Sequence, residues 1–133
     1  MKKKIIIIVS VVLVLIIGFL IWWNVPKKLC DIDAQKVEKI TIFKTWFQEE
    51  IEVTDEQTIA ELVEKFNSVK MKHCRYAPNT FGYVYIVTIQ TESETQMFTI
   101  DVNGVSGKVL NYLVIEGDTG FYYIDDMFQK FYD

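Results

Sequence analysis

Asp118, Thr119 and Gly120 form the triplet around which aspartic proteases build their paired carboxylates. That chemistry needs two such aspartates sharing one proton, so a chain of 133 residues would have to dimerise. The 13 residues after Gly120 are too few for the second half of such a fold, and Glu116 and Gly117 directly precede the triplet. A glycine-flanked hairpin tip accounts for all of these residues. Gly104, Val105, Ser106 and Gly107 place a serine between glycines but lack the G-x-S-x-G spacing and following helix of a nucleophile elbow. The base there would have to be His73, the one histidine. His73, Cys74 and Cys30 are metal ligands by type. Zinc sites, however, bring ligands in closely spaced pairs such as C-x₂₋₄-C, and two cysteines 44 positions apart do not. Glu49 with Glu50 or Glu52 could form the carboxylate pair of a glycosidase, but glutamates alternating with Ile51 and Val53 mark the wet face of a strand. These residues predict no catalytic site, no metal and no cofactor.

Whatever the site, two unlike parts of the chain must position it. Residues 5–23 are 19 positions without a charge, roughly 28 Å as a helix and about one hydrocarbon core. Lipid offers the backbone no hydrogen-bond partner, so this run is expected to be helical despite its β-branched residues. It is too long for a cleaved signal, and Trp22, Trp23 and Leu29 stand where small residues would be needed. Lys27, Lys28 and Leu29 likewise rule out Cys30 as a lipid attachment point. Residues 5–25 therefore read as an uncleaved transmembrane anchor in the lipid bilayer. Trp22 and Trp23 fall in the interfacial belt, with Lys2, Lys3 and Lys4 on the inner side. The expected placement is single-pass in the plasma membrane, with residues 1–4 as a cytoplasmic tail and the C-terminal domain extracytoplasmic. Beyond the anchor, 11 of the 14 Lys and Arg face all 18 Asp and Glu, a balance near −7. An acidic domain repels phosphate backbones, so no nucleic acid is expected; a cationic peptide or protein suits it better.

Residues 26–35 read as a juxtamembrane linker or a first edge strand, and 36–133 as one domain. Over 37–54, Ile40, Ile42, Lys44 and Trp46 fall on one face and Thr41, Phe43, Thr45 and Phe47 on the other, predicting a hairpin that turns near 47–49. Residues 54–67 predict a helix. Thr54 and Gln57 would form its capping box, Ile59, Leu62, Val63 and Phe66 its core stripe, and Glu61 and Lys65 a surface pair. Strands are expected at 69–74, 83–91 and 95–102, with turns at 75–80 and at Asn103 and Gly104. A strand pair, 112–116 with 121–124, would lead to a short helix capped by Asp125, whose Phe128, Phe131 and Tyr132 return to the core. The fold class is α+β: an N-terminal transmembrane helix, then an antiparallel sheet packed on a single main helix with a short C-terminal helix.

Two features of this domain could make contacts. Trp46 and Phe47 lie at the hairpin bend, where exposed aromatics anchor interfaces, yet burial in the core is the better single reading of them. The same alternatives hold for Tyr76, Tyr83, Tyr85, Tyr112, Tyr122 and Tyr123. Cys30 and Cys74 would both lie outside the cell, where disulfides persist. A bond between them would contribute about 3–4 kcal/mol, and the sequence leaves bonded and free thiols both open.

The lysine-led anchor, the strand-rich outer part and the helix in TDEQTIAELVEKFNSVK resemble small membrane-anchored or secreted extracytoplasmic proteins of unknown function from Gram-positive bacteria, over residues 36–102. The resemblance implies a non-enzymatic envelope protein and transfers no catalytic residue. The expected function is a single-pass membrane-anchored extracytoplasmic binding or interaction module, engaging an envelope protein or peptide. A sharper alternative is an immunity or inhibitor protein that intercepts a cationic peptide toxin or a cell-wall hydrolase. An envelope hydrolase using Asp118 or the glutamates is the third.

Overall fold

The computed structural model describes residues 1–74, 83–102, 104–106 and 111–132; the turn expected over 75–80, with Tyr76, and Asn103 lie outside them. The first element, α1 (Lys2–Asn24), is long and apolar enough to cross a membrane, and none of its residues is buried. A helix apolar on every side has no polar face to turn to water. Val25 and Pro26 end it and lead directly into the sheet, since proline cannot continue the hydrogen-bond ladder.

The sheet has eight strands: β1 (Lys27–Lys28), β2 (Val37–Lys44), β3 (Glu49–Val53), β4 (Lys70–Cys74), β5 (Tyr85–Thr91), β6 (Thr95–Ile100), β7 (Gly104–Ser106) and β8 (Asn111–Glu116). All pair antiparallel, in the order β1-β4-β8-β7-β6-β5-β2-β3. The helix α2 (Glu56–Ser68) carries the chain from the β3 edge across to β4, and α3 (Phe121–Tyr132) closes it. Strand alternation decides the faces. Ile40, Ile42, Tyr85, Val87, Ile89 and Ile100 are fully buried and meet Leu62 and Phe66 of α2 and Ile124 and Phe128 of α3 in one core. The alternate residues Thr41, Thr88 and Thr99 share the opposite, half-exposed face. The α+β architecture expected from the sequence is the one observed.

Several local expectations differ. Of the two readings of residues 26–35, the edge strand is the one observed: β1 ends the sheet, pairing with Met71 and Lys70, while Cys30 is buried and Ala34–Lys36 form a 3₁₀ turn. The cap of α2 is Asp55, not Thr54. Its carboxylate accepts from the Thr58 N–H (2.9 Å) and hydroxyl (2.7 Å), while Gln57 reaches Glu61 instead of completing a capping box. Glu61 and Lys65 do not pair with each other; Tyr123 donates to Glu61, and Lys65 meets Asp118 at 3.0 Å. The strand β6 stops at Ile100, because Asp101 turns inward and accepts from the Gly104 N–H at 2.7 Å, leaving Val102 exposed. Residues 121–124 are the first turn of α3, not a strand. Asp118 and Thr119 cap that turn by accepting from the N–H groups of Gly120 and Phe121. Asp125 therefore lies inside the helix, and of the three aromatics expected in the core only Phe128 is buried, Phe131 and Tyr132 being exposed.

Candidate functional site

At the end of β2, residues 45–48 reverse the chain with two non-glycine residues in the left-handed region, Trp46 (φ 73°) and Gln48 (φ 54°). Such conformations cost on the order of 1 kcal/mol each and persist where surrounding contacts hold them. Thr45 supplies those contacts: its N–H (3.0 Å) and hydroxyl (3.1 Å) both donate to the Val84 carbonyl, and its hydroxyl accepts from the Val84 N–H (3.0 Å). The bend throws Trp46 outward at 77% exposure and leaves Phe47 at 55%, so core burial of these two aromatics is overturned. Trp46 cannot stay on the face of Ile42 and Lys44 once the backbone leaves β geometry at its own Cα.

A polar cluster stands behind the bend. Lys44 points to the helix side, with its ammonium over the rings of Tyr83 (4.4 Å), Phe47 (4.6 Å) and Phe128 (5.8 Å). The Phe47 and Tyr83 rings meet edge to face at 5.7 Å. One carboxylate oxygen of Asp125 accepts from the hydroxyls of both Tyr83 and Tyr85, each at 2.6 Å. The Tyr83 phenol is held above its ordinary range, first by its bond to Asp125 and then by burial; for Tyr85 burial comes first and Asp125 second. Alongside, the Tyr132 hydroxyl donates to the Glu50 carbonyl (2.8 Å) and accepts from the Glu50 N–H (3.0 Å). Phe131 packs against Tyr132 at 5.0 Å and is 67% exposed. The hairpin and the end of α3 are thus joined through Tyr132 and carry exposed aromatic rings, the arrangement that anchors interfaces.

The other candidates fall elsewhere. Asp118 belongs to a turn in which Gly117 and Gly120 have positive φ, and a Cβ on Gly117 would collide with the Ser68 carbonyl. Its carboxyl is held below the usual range, chiefly by the Gly120 N–H and then by Lys65. It ties α3 to α2. Ser106 is the last residue of β7, in register with Thr99 and Asn111. Cys30 and Cys74 are free thiols. β1 places residue 28 opposite Lys70, and Cys74 lies four residues further along β4, roughly 13 Å at strand rise. Cys30 donates instead to the Asn67 side chain (3.3 Å), which also bridges the Ile32 backbone; burial, then Asp31, pushes its thiol up to about 11. Among the described residues no group of three His, Cys, Asp or Glu could hold a metal ion. Glu52 pairs with Lys39 at 3.4 Å.

His73 is buried and wedged between Trp23 (ring centroids 4.8 Å), Trp22 (4.5 Å) and Tyr112 (5.0 Å), with Nδ1 3.3 Å from the Trp23 carbonyl oxygen. The two tryptophans expected at a lipid interface therefore also join α1 to the sheet, while Lys2, Lys3 and Lys4 are exposed. Sequence reasoning did not find the Lys44, Asp125 and Tyr132 cluster. Its one legible signal was Lys44 on the inward face with Ile40 and Ile42. Compared with known proteins, the chain matches no family model, no curated protein and no solved structure.

Proposed function

We propose that this chain is a non-catalytic, membrane-anchored binding module that engages another envelope protein or a peptide through the Trp46 and Phe47 hairpin. The observation that carries this reading is Trp46, exposed at 77% on a left-handed backbone that Thr45 braces. A large apolar side chain so displayed costs stability in both its backbone and its hydration, and neither cost serves the core. The anchor would be α1, with the N-terminus cytoplasmic and the domain extracytoplasmic. The test is crosslinking of tagged full-length protein in native membranes, followed by capture in mild detergent and mass spectrometry. A stoichiometric partner lost in Trp46→Ala/Phe47→Ala but kept in Asp118→Ala supports the module. Loss of function in Asp118→Ala with none in the hairpin variant overturns it.

A further inference from the structure

The β3 strand ends the sheet, so its outer backbone groups face no ninth strand. Both the N–H and the C=O of Glu50 point outward, since Tyr132 takes both with one hydroxyl. Glu50 lies opposite Phe43 and Glu52 opposite Thr41. Antiparallel pairing alternates with a period of two, so the backbone groups of Glu52 point the same way as those of Glu50. Among the described residues no side chain bonds to them. Tyr132 thus fills one rung of the position that an added strand would take, and the next rung is open.

We propose that the β3 edge is a strand-addition site for an extended basic segment, with Tyr132 as the latch that the segment displaces; this rests on the binding-module reading and gives its partner a chemistry. Three features select the occupant. Glu50 and Glu52 project on one face of the edge, both exposed and Glu52 at 57%, so they match Lys or Arg at alternate positions of an incoming strand. A second copy of this edge, laid antiparallel, would oppose glutamate to glutamate, which disfavours self-pairing. The Trp46 and Phe47 bend lies at the start of the same strand and supplies an apolar anchor beyond the ladder, as strand addition uses side-chain pockets for specificity.

The probe is a fluorescein-labelled octapeptide of alternating Lys and Val, with its Glu and Val counterpart as control. Full-length protein is held in nanodiscs of neutral phosphatidylcholine, and binding is read by anisotropy at low and moderate salt. Wild type is expected to bind the basic peptide only, more weakly as salt rises. Glu52→Pro removes an outward N–H without touching the bonds between β2 and β3, and abolishes binding. Glu50→Gln/Glu52→Gln weakens it about fivefold, and Tyr132→Phe, which frees both Glu50 groups, tightens it about fivefold. Equal binding by wild type and Glu52→Pro overturns the proposal, as does self-association of Tyr132→Phe in place of peptide binding. If neither wild type nor Tyr132→Phe binds the peptide while the hairpin variant still loses its crosslinked partner, the edge proposal fails and the binding module stands. If the hairpin variant loses nothing either, both fail.

Discussion

One carboxylate oxygen of Asp125 serves two phenols, so the loss of this one side chain strips two hydroxyls of their acceptor. Tyr85 is fully buried, so its hydroxyl without an acceptor carries a desolvation cost. Asp125→Ala is expected to lower unfolding free energy by about 2 kcal/mol and Tyr85→Phe by about 1 kcal/mol, measured by urea titration in detergent micelles. The sequence could not show this contact, because Tyr83 and Tyr85 precede their acceptor by about 40 positions and only the fold brings them together. The Asp118 carboxyl, held below its ordinary value, contributes stability that is present above about pH 4 and lost as pH falls through its folded value. Asp118→Asn should therefore lose less stability than wild type as pH falls from about 5 into the acid range below the ordinary carboxylate value. Cys30 shows the opposite sign. Its folded value near 11 lies above the free-thiol value of 9.0, so its contribution holds below pH 9 and fades as pH rises toward 11. At pH 8, iodoacetamide should modify Cys74 well before Cys30, which mass spectrometry of timed samples can check.

At the scale of elements, apolar periodicity was the reliable signal and caps were not. The stripe of Ile59, Leu62, Val63 and Phe66 is the buried face of α2, as its spacing predicts. Thr54 and Asp55 are adjacent potential caps, and the choice between them turns on which oxygen reaches Thr58. Asp55→Ala should cost about 1 kcal/mol, whereas Thr54→Ala should change stability by less than about 0.5 kcal/mol; thermal unfolding by circular dichroism separates them. In α3 the opening residues Phe121, Tyr122, Tyr123 and Ile124 are strand formers by propensity, and packing overrides that preference. The turn from Gly117 to Gly120 delivers Phe121 to the core beside Tyr85, at 5.3 Å between rings, and the 3.6-residue period then buries Ile124 and Phe128. Phe128→Ala should cost about 3–5 kcal/mol, and the exposed Phe131→Ala less than about 0.5 kcal/mol. The candidate hairpin was half legible: alternation located the bend, but only the left-handed backbone at Trp46 and Gln48 decides that its aromatics face outward.

For the whole molecule, the junction between α1 and the sheet matters most. His73, Trp22, Trp23 and Tyr112 pack where the helix ends, so the sheet is braced by the element that precedes it. A chain reduced to residues 26–133 should keep its sheet but uncover His73, and amide exchange in β4 should quicken relative to β5 in hydrogen-exchange mass spectrometry. The sequence separated an apolar helix and a domain as two parts and missed their contact, since nothing local in His73 names a partner 50 positions earlier. Only Val25 and Pro26 stand between Asn24 and β1, a span of about 7 Å at full extension. Once α1 lies in a bilayer, the domain therefore has almost no reach. It cannot sweep a volume in search of a partner as a tethered head would. Held in this way it would patrol a thin layer against the lipid by lateral diffusion, and would meet only what comes down to that surface or already moves within it.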